Sequence, residues 1–283
     1  MSNKSRAVLV TGAAGGVGVA TTRALLKAGF RVYAGIHSHT GDLPESPDVH
    51  VLKLDLTDPE SIAAAVAAVR ANGDNGLAGV VNNAGVIVQG PMELVPAEEL
   101  QRQFEVNVYG PALVTRAFLP HLRRGKGRVV NITASTARVP GPFFGPISAS
   151  KAALQALSDA QRVELAHWKI PVVVLEPGAL QTEIFVKADA ASQRAAAVQS
   201  PELVALYRDQ LAAVGKAMAK IKPSSPTILA DAIVKALTVG KPKPRYNVGP
   251  DTRLVGLVSR LPLRTRDRMI SGVMGLNKIK PAA

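Results

Sequence analysis

The chain has no cysteine among its 283 residues. That excludes disulfides, thiolate metal ligands and a cysteine nucleophile, and it fits a cytoplasmic protein. It also lacks any run both long and uncharged enough to span a bilayer; the apolar runs at residues 80–81 and 172–175 are strand-sized. The opening MSNKSRAVLV enters a strand pattern directly, without the architecture of a cleavable signal. No internal repeat is visible, and no aromatic residue follows Tyr246. Acidic side chains are in short supply, 21 against 34 Lys and Arg, for a formal net charge of +13.

The basic surplus is uneven. Arg123, Arg124, Lys126 and Arg128 fall together, and the tail adds Arg253, Arg260, Arg264, Arg266, Arg268, Lys278 and Lys280. Without interleaved aromatics this is not a nucleic-acid signature, and no nucleic-acid partner is expected. A solvated face is the ordinary reading; weak contact with an anionic membrane surface is the alternative. An anionic ligand would also be drawn to such a surface.

Apolar runs alternate with helical patterns along most of the chain, which predicts a doubly wound parallel sheet, three layers α/β/α, built on one core. Strands are predicted over 7–10, 31–36, 49–54, 79–81, 128–132, 171–175 and 245–248. Helices are predicted over 17–28, 59–71, 148–167 and 226–237, with one or two more over 96–122. Gly29 ends the first of these, Asp58 caps the second ahead of Pro59, and Ser225 caps the 226–237 helix. The main domain spans residues 1–250, with an Ala-rich helical substrate lid at about 182–222. Residues 251–283 form a basic extension in which Leu254, Leu257, Val258 and Leu261 recur at helical spacing until Pro262 interrupts. That extension is expected to pack on the domain or on a subunit neighbour.

The first strand runs straight into Thr11-Gly12-Ala13-Ala14-Gly15-Gly16-Val17-Gly18, which opens a helix. Glycines there permit a tight turn and close approach of backbone to a pyrophosphate, and the helix N-terminus supplies free N–H groups and partial positive charge. A glycine pattern alone is weak, but this one has the strand–turn–helix context a dinucleotide requires. Further pieces come in order: Asp55 and Leu56 after the third strand, Asn82-Asn83-Ala84-Gly85 after the fourth, Asn107 in Asn-Val-Tyr-Gly, Lys151 in GPISASKAAL, and Pro177-Gly178 with Thr182 beyond.

Taken together, residues 5–185 resemble the short-chain dehydrogenase/reductase family, and the apolar cleft residues are similar to those of members acting on steroids and retinoids. The resemblance implies a Rossmann-type fold, a bound nicotinamide nucleotide and a homodimer or homotetramer packed through the lysine-bearing helix, where Ala152, Ala153 and Ala156 suit close approach. It implies that Asp55 meets the adenine and that Asn83, Ala84 and Gly85 border its ribose. It also implies that Lys151 holds the nicotinamide ribose with help from Asn107, and that Pro177, Gly178 and Thr182 face the nicotinamide. In the family a tyrosine four residues before that lysine handles the proton, and a serine thirteen residues further upstream orients the carbonyl oxygen. Here those positions carry Ile147 and Ala134.

Two hydrocarbons can neither transfer a proton nor donate a hydrogen bond, so carbonyl reduction by the usual route is disfavoured. Ser135 is predicted to point away, Ser148 and Ser150 read as packing positions, and Tyr109 is a remote candidate for the cleft. Four functions stay open: a reductase whose substrate needs no acid at oxygen, such as an iminium ion or activated alkene; a non-redox cyclase, isomerase or dehydratase; a catalytically silent nucleotide-binding protein; and an ordinary member altered by engineering. A hydrophobic substrate is expected, from residues 139–146 and from Ile184, Phe185 and Val186 of the lid. NADP(H) is favoured over NAD(H), because Ala34-Gly35-Ile36-His37-Ser38 offers no carboxylate for a ribose 2′-hydroxyl, whereas His37, Ser38 and His39 can donate to a phosphate.

Overall fold

The computed structural model describes residues 6–279. The ends of the two segments assigned above, residues 1–5 and 280–283 with Lys280 among them, lie outside the described residues. Seven parallel strands form one sheet: β1 Ala7–Thr11, β2 Arg31–Ile36, β3 Val49–Lys53, β4 Gly79–Asn82, β5 Arg128–Ile132, β6 Val172–Pro177 and β7 Arg245–Val248, in the order β3-β2-β1-β4-β5-β6-β7. Strand order reverses between β1 and β4, so the crevice beyond their C-terminal ends is the switch point where such sheets bind ligands.

The strands are short, apolar and rich in valine because both faces are covered. Helices α2 (Pro59–Ala71), α4 (Gly110–Gly125) and α5 (Gly145–Glu164) lie on one face, over a core containing Leu9, Val80, Phe118 and Val129. Helices α1 (Gly16–Lys27) and α9 (Thr227–Thr238) cover the other, over Val8, Val10, Val130 and Ile233. Local signals are honoured: Asp58 accepts from the Glu60 N–H at the start of α2, and Gly29 takes φ +77 after α1. Ser225, expected to cap the later helix, instead sits one residue before its N-cap Pro226, where its hydroxyl accepts from the Thr227 N–H.

The span expected to hold one or two helices is α3 (Ala97–Phe104) joined to α4 through a π-helical turn at Glu105–Tyr109. Periodicity cannot reveal such a turn, because five residues are too few to show a period of their own. The inserted lid carries α6 (Ile184–Ala197), α7 (Pro201–Leu206) and α8 (Arg208–Met218), and the extension carries α10 (Thr252–Val258) and α11 (Leu263–Val273) on either side of Pro262.

Helix α5 meets the sheet through a stripe of polar residues. Lys151, Gln155 and Ser158, at i, i+4 and i+7, are all buried on its inner face beside Leu154. Ser158 Oγ accepts from Asn131 Nδ2 at 2.8 Å, and Asn131 Oδ1 accepts from Asn82 Nδ2 at 2.7 Å, so β4, β5 and α5 share one network. Gln155 Nε2 donates to Glu176 Oε1 at 2.7 Å. The Glu176 carboxylate is fully buried on β6, where Arg138 (2.9 Å) and Arg245 (3.3 Å) offset its loss of water. Burial raises the Glu176 pKa and the two guanidinium groups lower it, with burial the larger effect.

Replacing Glu176 by Leu should remove the acceptor shared by Gln155, Arg138 and Arg245, leaving Arg245 with Asp159 alone and Arg138 with the Asn247 side chain. The expected cost is about 3 kcal/mol, read as a fall in the urea midpoint; an unchanged midpoint would contradict this role.

Candidate functional site

At the end of β1 the glycine turn is enforced by contact. Gly12 has φ +63, and a Cβ there would stand 2.8 Å from the Ala84 Cα. A Cβ on Gly18 would come within 2.3 Å of the Gly12 carbonyl oxygen, so only glycine lets α1 start this close to β1. Gly16 faces open space apart from the Thr182 methyl, which a Cβ would meet at 3.4 Å. The first turn of α1, with Gly16, Val17 and Gly18, carries no acidic side chain and no capping side chain. An anion approaching from the crevice therefore meets backbone N–H groups and the helix dipole without competition.

The neighbouring turn supports this one. Asn83 Nδ2 donates to the carbonyls of Thr11 (2.9 Å) and Gly12 (3.1 Å). The Thr11 hydroxyl, itself buried, accepts from the N–H groups of Asn83 and Ala84. Thr11 therefore shapes the crevice from beneath. Leu56 is also buried, and Gly110 packs against it.

At the end of β2, His37 is exposed, and its Nε2 lies 3.4 Å from Asp55 Oδ2. The corner expected to be free of carboxylates thus acquires one from β3. Strand adjacency, which the sequence does not display, brings Asp55 there. Its pKa is held below the ordinary value chiefly by hydrogen bonds from the Thr57 hydroxyl and N–H, with His37 contributing less.

Lys151 is buried, and its Nζ donates to the Ile132 carbonyl at 2.9 Å. No carboxylate pairs with it, and burial lowers its pKa from 10.5 to about 8. Asn107, in the π-helical turn, exchanges two hydrogen bonds with the Val86 backbone, both 2.9 Å, and donates to Ser150 Oγ at 3.2 Å. Asn107 and Lys151 do not bond each other; both converge on Gly85, whose missing Cβ would meet Asn107 Oδ1 at 3.1 Å and Lys151 Nζ at 3.5 Å. Ser150 Oγ also donates to the Ile147 carbonyl, which confirms its packing role. Ile147 is buried on the first turn of α5, and Ala134 ends the extended stretch after β5. Tyr109 is 60% exposed and does not line the crevice.

Beyond these residues lies a cavity of about 660 Å³. Its walls include Val88, Leu94, Phe143, Leu180, Phe185 and Val214, with Thr182 reaching from it to the glycine turn. Phe143, Phe144 and Phe185 belong to it as expected; residues 139–142, Gly145, Pro146, Ile184 and Val186 do not. Val186 points outward and is 70% exposed. Ile147 and Ala134 are not among the lining residues either. The lid is fastened over the cavity by polar ties: Gln89 donates to Asp189, Ser192 donates to the Gln89 carbonyl, and Tyr207 donates to Glu93 at 2.7 Å. At the floor, Gly178 cannot bear a side chain, since Asp251 fills that space and accepts from the Ala179 N–H. The Arg138–Glu176–Arg245 cluster and the lid ties escaped sequence reasoning; a lone Glu before Pro177-Gly178 in an apolar strand was the one available signal.

Comparison with known proteins places these features. Over 188 residues the chain is 38% identical to a 3-amino-tetrahydro-pyrrolizinone reductase of Xenorhabdus hominickii, an alignment covering 66% of this chain and 65% of that relative, just under two thirds of its length. It is 33% identical over 257 residues to an NADPH-dependent 3-dehydrocapnine reductase of Ornithobacterium rhinotracheale, covering 87% and 88%. The fold superposes with a TM-score of 0.73 on a short chain dehydrogenase from Burkholderia cenocepacia J2315 solved in complex with NADP, at 26% identity over 95% of this chain and 99% of that one. Residues 6–193 match the short chain dehydrogenase family, and the chain belongs to it.

Proposed function

We propose that this protein binds a nicotinamide dinucleotide, NADP(H) ahead of NAD(H), and acts with it on a hydrophobic small molecule without a tyrosine–serine proton relay. The observation that carries this reading is a pairing. The groups suited to hold the nucleotide are present and well moored, while buried Ile147 and partly buried Ala134 occupy the positions we read as the family's tyrosine and serine slots.

The crevice fits the nucleotide, because Gly12 and Gly18 let the turn and α1 pack close to β1 while Gly16 leaves backbone bare where a pyrophosphate needs close approach. Gly16, Val17 and Gly18 would take the pyrophosphate, Asp55 and Leu56 the adenine, and Asn83, Ala84 and Gly85 its ribose. Lys151 would hold the nicotinamide ribose, and Pro177, Gly178 and Thr182 would border the ring. His37 would meet a 2′-phosphate; the NADP-bound neighbour and the NADPH-dependent relative support that preference, while Asp55 beside His37 works against it. When bound, the nicotinamide supplies a hydride to an electrophilic carbon.

The chain's own part is to position, enclose and exclude. Phe143, Phe185 and Val214 offer apolar contact to a substrate body. Lys151 keeps a cation near the ribose, and Asn107 holds the Val86 backbone against α5. A ketone oxygen beside Ile147 would gain charge with no donor, and loss of a positioned acid costs on the order of 10²–10⁴ in rate. An iminium carbon, or an alkene whose negative charge is delocalised, escapes that cost. The same lack of hydroxyls favours a second reading, a non-redox isomerase, cyclase or dehydratase on this scaffold.

Fluorescence titration should show NADPH binding more tightly than NADH; no binding of either at millimolar concentration would sink the reading. A screen of imines, enones and ketones with NADPH should give nicotinamide oxidation with the first two, whereas substrate conversion without oxidation would favour the non-redox reading. The double substitution I147Y with A134S should raise ketone reduction by at least about 10²-fold. Lys151 gives a pH test. Its folded pKa of about 8 lies below the usual 10.5, so between those values the unfolded chain binds a proton that the folded chain does not. Stability should therefore rise with pH across that window, by up to about 3 kcal/mol. Lys151→Met, compared by urea midpoint at both ends of the window, should lack the rise and should bind NADPH about tenfold more weakly.

A further inference from the structure

We propose that the C-terminal extension docks this protein peripherally on an anionic lipid bilayer. Helices α10 and α11 are held to the body at both ends. Asp251 fastens the root by accepting from the Ala179 N–H, with Thr252 and Val258 buried beneath α10. Near the tip, the Cβ position of Gly275 lies 3.8 Å from the Ala213 Cβ on α8. Large apolar side chains face outward: Leu254, Leu257, Leu263 and Val273 are 65%, 63%, 65% and 69% exposed. Single exposed leucines are ordinary; four large apolar side chains within one short extension are a patch.

Cations alternate with these residues along the chain. Arg260, Arg264, Arg268 and Lys278 are exposed, and among the described residues none of them has an ion-pair partner. Asp267 is the one acidic side chain of α11. Apolar side chains interleaved with unpaired cations suit the boundary between acyl chains and anionic headgroups. The helices, of 7 and 11 residues, are too short to cross a bilayer, and no helix among the described residues is long and apolar enough to do so.

A second copy of the chain fits this face less well. The core of a protein interface is depleted of charge, and a two-fold contact would set these arginines against their own equivalents. A lipid surface instead supplies the opposite charge.

The tip of the extension packs on α8, which carries part of the cavity wall. Leu211 and Ile221 line the cavity yet remain 37% and 39% exposed, and both flank the stretch of lid that touches the extension. Docking would bring that apolar rim to the lipid, a route for a hydrophobic substrate that rests on the function proposed above; docking itself needs neither nucleotide nor substrate.

The test is co-sedimentation of the full chain with vesicles of phosphatidylcholine, alone or mixed with phosphatidylglycerol. The protein should sediment with the mixed vesicles and stay in solution with the neutral ones. It should be released at about 0.5 M salt, where the screening length falls to roughly 4 Å. The triple variant L254S, L257S, L263S should bind at least about tenfold more weakly, and R264Q with R268Q about thirtyfold. Thermal unfolding midpoints matching the parent protein would show these variants folded. Failure to sediment with anionic vesicles, or a triple variant that binds like the parent, overturns the proposal. So does a parent dimer that ignores vesicles and becomes a monomer in the triple variant, which would assign the face to a second copy.

Discussion

Helix α5 is fastened to the sheet by side chains that have no access to water, and the geometry of the crevice depends on that attachment. A buried amide, hydroxyl or ammonium without a partner costs more than an apolar group in the same place. Ser158 on Asn131, Gln155 on Glu176, and Lys151 on the Ile132 carbonyl can each be satisfied only when α5 lies at one height and one rotation over β5 and β6. An all-leucine stripe would have tolerated sliding by a fraction of a turn. The polar stripe does not, and it sets where Lys151, Ile147 and the walls of Phe143 and Phe144 stand relative to the glycine turn.

The same logic explains the loops. Thr11, Asn83 and Gly12 interlock the ends of β1 and β4 at the point where strand order reverses, so the turn has its shape before any ligand arrives. Asn107 does the equivalent for the loop after β4 by occupying both polar groups of Val86. These residues reach a ligand site by rigidifying backbone, which is how a fold with parallel strands builds function on connections that are otherwise the least constrained part of the chain. Within that rigid frame, Ile147 and Ala134 place hydrocarbon at the two positions from which the proposed chemistry derives.

Much of the scaffold was legible in the sequence because its signals are local. The glycine turn, Asp58 with Pro59, and Gly29 each report a backbone requirement met within a few residues. Strand positions could be read from apolar run length, and the parallel sheet from the alternation. The misses share a different cause. Residues 139–142 fall outside the cavity although they are apolar, since hydrophobicity does not say which wall a loop joins. The pairing of His37 with Asp55 joins the ends of neighbouring strands 18 residues apart.

By itself the sequence determined the Rossmann-type scaffold, the presence of Lys151 and Asn107, the hydrocarbon at positions 147 and 134, and the basic, leucine-bearing extension. These are matters of residue identity and short spacing, and identity is preserved whatever the chain does in space. Only the tertiary structure decided that the inner face of α5 is polar, that Glu176 is a buried carboxylate held by Arg138 and Arg245, and that the lid is tied to the Gln89 loop. It also decided that the leucines of the extension face outward. Those depend on which distant segments share a neighbourhood, and that is set by the competition to bury apolar surface while leaving no polar group unpaired.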